Sequence, residues 1–298
     1  MPRLSAFSAR LARVLAHRDN ADVWNYLGLA YVQAGDSKDA RKAFQKAVGL
    51  QPSDPTFRVN LAMALLLGGQ IDKSQSEARA ALKLEPKNAG AFYVLGTGYL
   101  WEGKIEDAGR LADEMINIDP AFPGGYILKY ETMIASIGRG KAIPINLDNE
   151  AELFGQAVSL LETGLAKSGK HPLSSVLAEN LRDAKVFHTY FANRKNRAGA
   201  DVLPTPSDPG VTPFKLISKP KANYTNAARD KLVNGTIRLA VLLGANGKIG
   251  GIIKLSSLGY GLDEEVIRAA RGIKFTPKMK DGKPVDTIVT MEYSFSMY

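Results

Sequence analysis

A 34-residue repeat between Trp24 and Pro120 constrains the fold of this chain more than any other feature of its sequence. Eight kinds of position recur at this spacing in three successive copies. The series are Trp24/Arg58/Phe92, Leu27/Leu61/Leu95, Gly28/Ala62/Gly96, Tyr31/Leu65/Tyr99, Gly35/Gly69/Gly103, Ala40/Ser74/Ala108, Leu50/Leu84/Ile118 and Pro52/Pro86/Pro120. Such a period indicates stacked two-helix units, because a single unit cannot bury its apolar face alone.

The spacing inside each copy predicts two helices joined by a tight turn. Apolar and small residues recur three and four positions apart, as in Trp24, Leu27 and Tyr31, which is the pattern of an amphipathic helix. Glycine then supplies a left-handed turn and proline ends the second helix. The whole pattern resembles the tetratricopeptide (TPR) repeat. That resemblance implies a surface that binds peptides.

In TPR proteins the binding groove is formed by residues of the first helices that lie outside the signature pattern. The positions that carry over to this chain are Asn25, Leu29, Val32, Thr56, Val59, Met63, Leu66, Tyr93, Thr97 and Leu100. Most are apolar, and among them Asn25 alone is of a type suited to gripping a C-terminal carboxylate. We therefore expect the groove to bind an extended or helical apolar protein segment.

After Pro120 the repeat decays. We predict an N-terminal helix or tail over residues 1–20, three repeats over 21–122, and a degenerate fourth repeat with capping helices over 123–197. Residues 198–213 contain four prolines and two glycines, which indicates a semi-rigid linker between domains.

Beyond the linker, residues 214–298 change from helical spacing to alternation. Residues 237–243 and 249–255 predict two strands around the turn Gly244 to Gly247. Asp263 is placed to cap the N-terminus of an amphipathic helix that Gly272 ends. A last alternating strand is predicted from Thr287 to Phe295. The result is a small α+β domain with an antiparallel sheet.

An ordered set of motifs in this domain is similar to the TonB C-terminal family. The set is Tyr224, Ala228-Arg229, Gly235, Ile237-Arg238-Leu239, Gly247-Lys248-Ile249, Gly261-Leu262-Asp263, Ala269-Ala270, Phe275-Thr276-Pro277 and Gly282-Lys283-Pro284-Val285. Thr225 stands where many members have Pro, and Thr can instead cap the short helix that follows. The fold class expected for the chain is thus multidomain, with an all-α TPR-type solenoid followed by a TonB-like α+β domain.

The TonB resemblance implies an exposed sheet edge that accepts an extended segment of an outer-membrane transporter by strand addition. We assign that edge to the last strand. Its candidate binding residues are Thr287, Ile288, Val289, Thr290, Met291, Glu292 and Tyr293. Outward-facing residues such as Thr290 and Glu292 would contact the added strand.

The composition and the motifs missing from the sequence argue against several classes of function. The chain has no cysteine, which excludes disulfides and thiolate chemistry. Its basic excess lies after Phe214, where 14 Lys and Arg stand against 7 Asp and Glu, but these residues are scattered, so we expect no nucleic-acid partner. Phosphate-binding, metalloprotease and nucleophile-elbow motifs are absent from the sequence. We expect no enzyme activity, cofactor, metal or small-molecule substrate.

These expectations combine into a protein–protein adaptor of the bacterial periplasm. No export signal or membrane helix is visible in the sequence, so the periplasmic location follows from the TonB resemblance alone. The alternative is a TonB-type energy transducer for outer-membrane transport, whose membrane anchor is missing from this chain or supplied by a partner. In that case the TPR array would bind a membrane motor. A cytoplasmic assembly adaptor is a third reading, but it leaves the TonB-like domain unexplained.

Overall fold

A computed structural model of the chain describes residues 19–137, 147–195 and 209–296. Within those ranges the predicted fold class is confirmed: a TPR-like helical array precedes a small antiparallel-sheet domain. The array consists of α1 (Ala21–Gln33), α2 (Ser37–Leu50), α3 (Pro55–Leu67), α4 (Ile71–Leu84), α5 (Ala89–Trp101) and α6 (Ile105–Ile118). The predicted N-terminal helix or tail lies almost entirely outside the described residues, as do residues 138–146 and 196–208.

The array has the predicted glycine turns, and a further glycine allows close packing of two helices. Gly35, Gly69 and Gly103 have φ of +77°, +67° and +75°, so glycine supplies the left-handed residue between the two helices of each pair. A Cβ built on Gly28 would lie 2.4 Å from a ring carbon of Phe44. Glycine at position 28 therefore lets α1 and α2 approach closely.

Arg58 replaces the signature aromatic residue in the second repeat. Its Nη1 donates to Glu77 Oε2 at 2.9 Å, and its Nε donates to the carbonyl of Pro52, also at 2.9 Å. The guanidinium thereby joins α3 to α4 and to the preceding turn. A polar clamp thus takes the place of an apolar contact at this repeat position.

The described residues form two compact units. The first contains those up to Asp119 together with Thr225–Lys231 and Gly259–Gly261. In this unit the ring of Tyr260 stacks on Trp101, with 6.1 Å between ring centroids. A Cβ on Gly69 would lie 1.6 Å from that tyrosine ring, so Gly69 is needed both for its positive φ and for this close approach.

The second unit contains the remaining helices and the sheets. Its helices are α7 (Pro123–Ile137), α8 (Leu147–Lys167), α9 (Ser174–Lys195) and α11 (Leu262–Arg271), while the short α10 (Asn226–Asp230) falls in the first unit. Its strands are β1 (Val211–Thr212), β2 (Lys215–Ser218), β3 (Gly235–Leu243), β4 (Ile249–Lys254), β5 (Lys274–Thr276), β6 (Lys278–Lys280), β7 (Lys283–Val285) and β8 (Thr287–Phe295).

The main sheet has the strand order β4-β3-β8, and all pairings are antiparallel. The predicted hairpin is confirmed as β3 and β4, and the predicted last strand is confirmed as β8. β1 differs from the prediction, since Val211 and Thr212 were assigned to the linker but pair with Lys280 and Met279 of β6. A strand of two residues is too short to show an alternating pattern in the sequence. It is recognised only from its pairing with another strand.

Helices cover both faces of this sheet. α11 packs against β3 and β4 on one face. On the other face, α9 packs against β4, and Gly251 leaves space for the ring of Phe187. Rings of Phe154, Phe187 and Phe191 stack between α8 and α9 with centroids 5.3 to 6.4 Å apart. The apolar residues of both sheet faces are therefore buried.

Two N-terminal helix caps were predicted in the TonB-like domain, and the structure contains one of them. Thr225 caps α10 as expected, because its Oγ1 accepts the N–H of Ala228 at 3.2 Å. The prediction for Asp263 is wrong, since α11 begins at Leu262 and the Asp263 carboxylate turns away from the helix. It accepts the N–H of Leu258 at 3.1 Å and pairs with Lys254 at 3.0 Å. The nearby ammonium outweighs the cap, because a buried carboxylate needs a charge partner.

Candidate functional site

The open edge of β8 is the first candidate surface. Among the described residues β8 pairs with one strand, β3, so no strand lies along its other side. The carbonyl of Arg238 accepts from Leu255 N–H at 2.8 Å, and the Arg238 N–H donates to Ser256 Oγ at 2.9 Å. The backbone of Arg238 therefore faces away from β8.

This orientation fixes which backbone groups of β8 point outward. Glu292 is directly opposite Arg238, and in an antiparallel pair of this kind both backbones point away from each other. Because the direction alternates along a strand, every second residue shares it. The outward N–H and C=O groups belong to Ile288, Thr290, Glu292 and Ser294. They form a row of donors and acceptors that an added strand can pair with.

The β8 side chains sort into an inner and an outer set. Thr287, Met291, Tyr293 and Phe295 are buried, whereas Thr290, Glu292 and Ser294 are exposed. Ile288 and Val289 are half-buried, and Ile288 lines an apolar cavity under α8 and α9. Burial raises the pKa of Tyr293, whose hydroxyl finds no partner among the described residues. The seven predicted edge residues thus lie in one strand, and its outer set is accessible.

The second candidate surface is formed by the first helices of the repeats. α1 contacts α3, and α3 contacts α5, so the predicted groove residues lie on neighbouring helices. Leu29 and Thr56 are exposed, while Val32, Val59, Met63, Tyr93, Thr97 and Leu100 are half-buried. The Thr97 hydroxyl donates to the carbonyl of Tyr93 at 2.8 Å, so it is engaged within its own helix.

Two predicted groove residues are buried. Asn25 is 8% exposed, and its Oδ1 accepts from Nδ2 of Asn60 at 2.8 Å. Leu66 is 1% exposed and lies in a cluster with Val94 and Leu95 of the next repeat. Leu66 was expected at the groove surface, but it faces the neighbouring repeat and contributes to packing. The position of a residue in the helical period does not by itself tell whether it faces the groove or the neighbouring repeat.

Sequence reasoning missed two residues beside these surfaces. Tyr26 is 67% exposed and lies three positions before Leu29 on α1, so the two form an apolar pair at the surface. An aromatic residue at a polar helix position was the available signal. Lys219 contacts β8 although it is distant in the chain, and no pattern of neighbouring residues predicts that contact.

A partly buried charge cluster, in which Asp263 is the buried member, joins α11 to the sheet. Lys254 Nζ on β4 lies 3.0 Å from Asp263 Oδ2 and 3.8 Å from Glu131 Oε1 on α7. Burial opposes ionisation of Asp263, but Lys254 and the hydrogen bonds from Ser257 and Leu258 lower its pKa overall. Burial raises the pKa of Glu131 although Lys254 works against it. Each charged group has a partner, so packing accounts for the cluster.

The sheet domain and the repeats each have a recognisable family. Residues 220–297 match the family of Gram-negative bacterial TonB protein C-termini. Residues 5–55 match a tetratricopeptide repeat family. Both resemblances read from the sequence are thereby confirmed. Both families indicate protein–protein interaction, and the TonB C-terminal family is associated with the bacterial envelope.

Curated relatives match parts of the chain. It is 33% identical over 126 residues to the cytochrome c-type biogenesis protein CycH of Pseudomonas aeruginosa, covering 40% of this chain and 31% of that protein. It is 30% identical over 90 residues to the small glutamine-rich tetratricopeptide repeat-containing protein 2 of Mycosarcoma maydis, covering 30% and 26%. The chain spans less than a third of the length of these relatives.

Solved TPR structures resemble part of the chain. MamA is 22% identical, with a TM-score of 0.41, over 55% of this chain and 88% of that one. The first TPR of Spaghetti (RPAP3), bound to the HSP90 peptide SRMEEVD, is 19% identical, with a TM-score of 0.37, over 39% and 93%. None of the helices in the described ranges has the length and apolar character needed to cross a bilayer. The same ranges contain no cluster of His, Asp and Glu arranged for a metal ion.

Proposed function

We propose that this chain is a non-enzymatic adaptor of the bacterial periplasm. Its TPR array binds one protein partner through the first-helix surface, and its TonB-like domain captures an extended segment of a second protein by strand addition. An outer-membrane transporter is the partner class that the TonB match favours. The adaptor would hold the two partners together.

The open edge of β8 is the observation that carries this proposal. Four outward positions carry backbone groups that pair with no strand in the described part of the chain, and backbone pairing gives affinity for any extended segment. The exposed side chains of Thr290, Glu292 and Ser294 are placed to select among segments. On the inner side, pairing with β3 holds β8 straight along all nine residues.

A proline at position 290 tests strand capture. Thr290→Pro removes an outward N–H but no hydrogen bond to β3, so we expect the domain to stay folded and peptide capture to fall at least tenfold. Thr290→Ala keeps the N–H and is the matched control. Binding of a peptide from the periplasmic N-terminal segment of a host outer-membrane transporter is measured by fluorescence anisotropy, with folding checked by circular dichroism.

Hydrogen exchange locates the binding. In the wild type, the peptide should protect the amides of Ile288, Thr290, Glu292 and Ser294 and leave those of their inward neighbours unchanged. Undiminished capture by the folded Thr290→Pro variant would refute the edge assignment.

The TPR surface has a separate test. Leu29→Asp places a charge on an exposed part of the first-helix surface, so it should weaken the array's partner complex without unfolding the array. Leu50→Asp is the control, since Leu50 is equally exposed, 40% in each case, but lies at the end of α2 outside the predicted groove. Co-purification from the native host followed by mass spectrometry compares the partners of the two variants, and equal recovery from both argues against the groove.

The TonB match also fits an energy transducer. In that case the TPR array would bind a membrane motor protein and pass its force to the captured transporter segment. The partner that is lost in the Leu29→Asp variant separates the two functions. A proton-driven motor subunit would favour the transducer, and another envelope protein would favour the adaptor.

A further inference from the structure

A lysine outside the sheet covers the middle of the β8 edge. Lys219 directly follows β2, and its Nζ donates to the carbonyl oxygen of Glu292. The same ammonium lies 4.5 Å from the centroid of the Tyr293 ring. It therefore occupies the position that the N–H of an added strand would take at Glu292.

The segment that carries Lys219 is fixed at both ends. Before it, β2 pairs with β5 through Lys215 to Thr276 and Leu216 to Phe275. After it, the Tyr224 ring packs edge-on against Phe295, with 5.6 Å between centroids, and the Tyr224 hydroxyl donates to the carbonyl of Val233. The backbone at Lys219 is thus held beside β8, and the side chain moves when the edge is occupied.

We propose that Lys219 makes the β8 edge select segments with an acidic side chain opposite Tyr293, on the face where the ammonium lies over the Tyr293 ring and away from the Glu292 carboxylate. This inference rests on the proposed strand capture. An incoming N–H replaces the ammonium at the Glu292 carbonyl, and the displaced ammonium then lies next to the new strand. A carboxylate on that strand pairs with it, whereas an uncharged side chain leaves it without its former acceptor.

The surrounding charge favours the same partner. Residues 214–298 carry 14 Lys and Arg but 7 Asp and Glu. Two of those acids, Asp263 and Glu265, already pair with Lys254 and Arg268. A basic domain attracts an acidic segment at long range, and Lys219 then fixes where along the edge the carboxylate binds.

Peptides of matched composition test the selection. The probes are capped nine-residue peptides of alternating Thr and Val, with Glu or Gln at the centre, and a third with Glu moved by one position to the other face. The wild type should bind the central-Glu peptide about threefold to fivefold more tightly than the Gln peptide at low salt, since exposed ion pairs have this strength. At about 0.5 M salt the preference should shrink.

Variants at two lysines isolate the effect. Lys219→Met should bind the Glu and Gln peptides equally, while Lys219→Arg should keep the preference. Lys221→Met removes another exposed charge two residues away and should also keep the preference. A preference that survives Lys219→Met, or that Lys221→Met removes as well, overturns the proposal.

The same titrations separate this inference from the proposed function. If the wild type binds both peptides equally, strand capture stands and selection by Lys219 is wrong. If Lys219→Met binds every peptide more tightly by the same factor, the lysine only blocks the edge and the selection is again wrong. If no peptide binds to the wild type or to any variant, strand capture itself fails and the inference fails with it.

Discussion

We predict that Glu150 makes the second unit less stable as the pH rises. Glu150 lies in the first turn of α8 and is 7% exposed. Apolar side chains surround it in the cavity beneath the sheet, among them Phe154, Phe191 and Ile253. No described group donates to its Oε2. Burial raises the pKa of Glu150 from 4.5 to about 7.

The sign and size of the change in unfolding free energy with pH follow from proton linkage. The folded state holds the proton of Glu150 more tightly than the unfolded state does. The contribution of this group to the free energy of unfolding is therefore fully present below about pH 4.5 and is lost as the pH rises through about 7. Each unit of difference between the pKa values of the folded and unfolded states corresponds to about 1.4 kcal/mol. From about pH 5 to about pH 8, ionisation of Glu150 should therefore lower the free energy of unfolding by roughly 2 to 3 kcal/mol.

Glu150→Gln removes this dependence, because the amide resembles the protonated carboxyl and does not ionise. The assay is urea denaturation followed by circular dichroism at several pH values, with the wild-type free energy subtracted from that of the variant so that all other groups cancel. Glu152→Gln is the matched control, as it removes an exposed carboxylate from the same helix. If the wild type and Glu150→Gln show parallel pH profiles, the reasoning about the buried carboxyl is refuted.

Further predictions concern packing and buried charge, each measured as a change in the free energy of unfolding by urea denaturation. Lys254→Met should cost about 3 to 5 kcal/mol, because it leaves the buried carboxylate of Asp263 without its ammonium; a loss below about 1 kcal/mol would contradict this. Gly28→Ala should cost about 1 to 3 kcal/mol through collision with Phe44. Gly49→Ala, where a Cβ meets nothing within 4 Å, should instead stabilise by about 0.5 to 1 kcal/mol. Equal effects of the two alanine variants would rule out the collision.

The candidate edge was predictable because strand alternation is local. Exposed and buried positions alternate from Thr290 to Phe295, and β8 has the predicted bounds, Thr287 to Phe295. The side of β8 that is open was implied only by the family resemblance. The structure decides it through hydrogen bonds of Arg238 with Leu255 and Ser256, which belong to another strand.

The sequence by itself determined the repeat array, its turns, the hairpin of β3 and β4, and the last strand β8. Helix spacing, the positive φ of glycine at Gly35, Gly69 and Gly103, and strand alternation are properties of neighbouring residues, so they are readable without a fold.

Only the tertiary structure decided the placement of Leu66 in a core, the pairing of Asp263 with Lys254, and the contact of Lys219 with Glu292 across 73 positions. Each depends on which distant element lies beside the residue. Burial and charge pairing are set by that neighbour, and local periodicity carries no information about it.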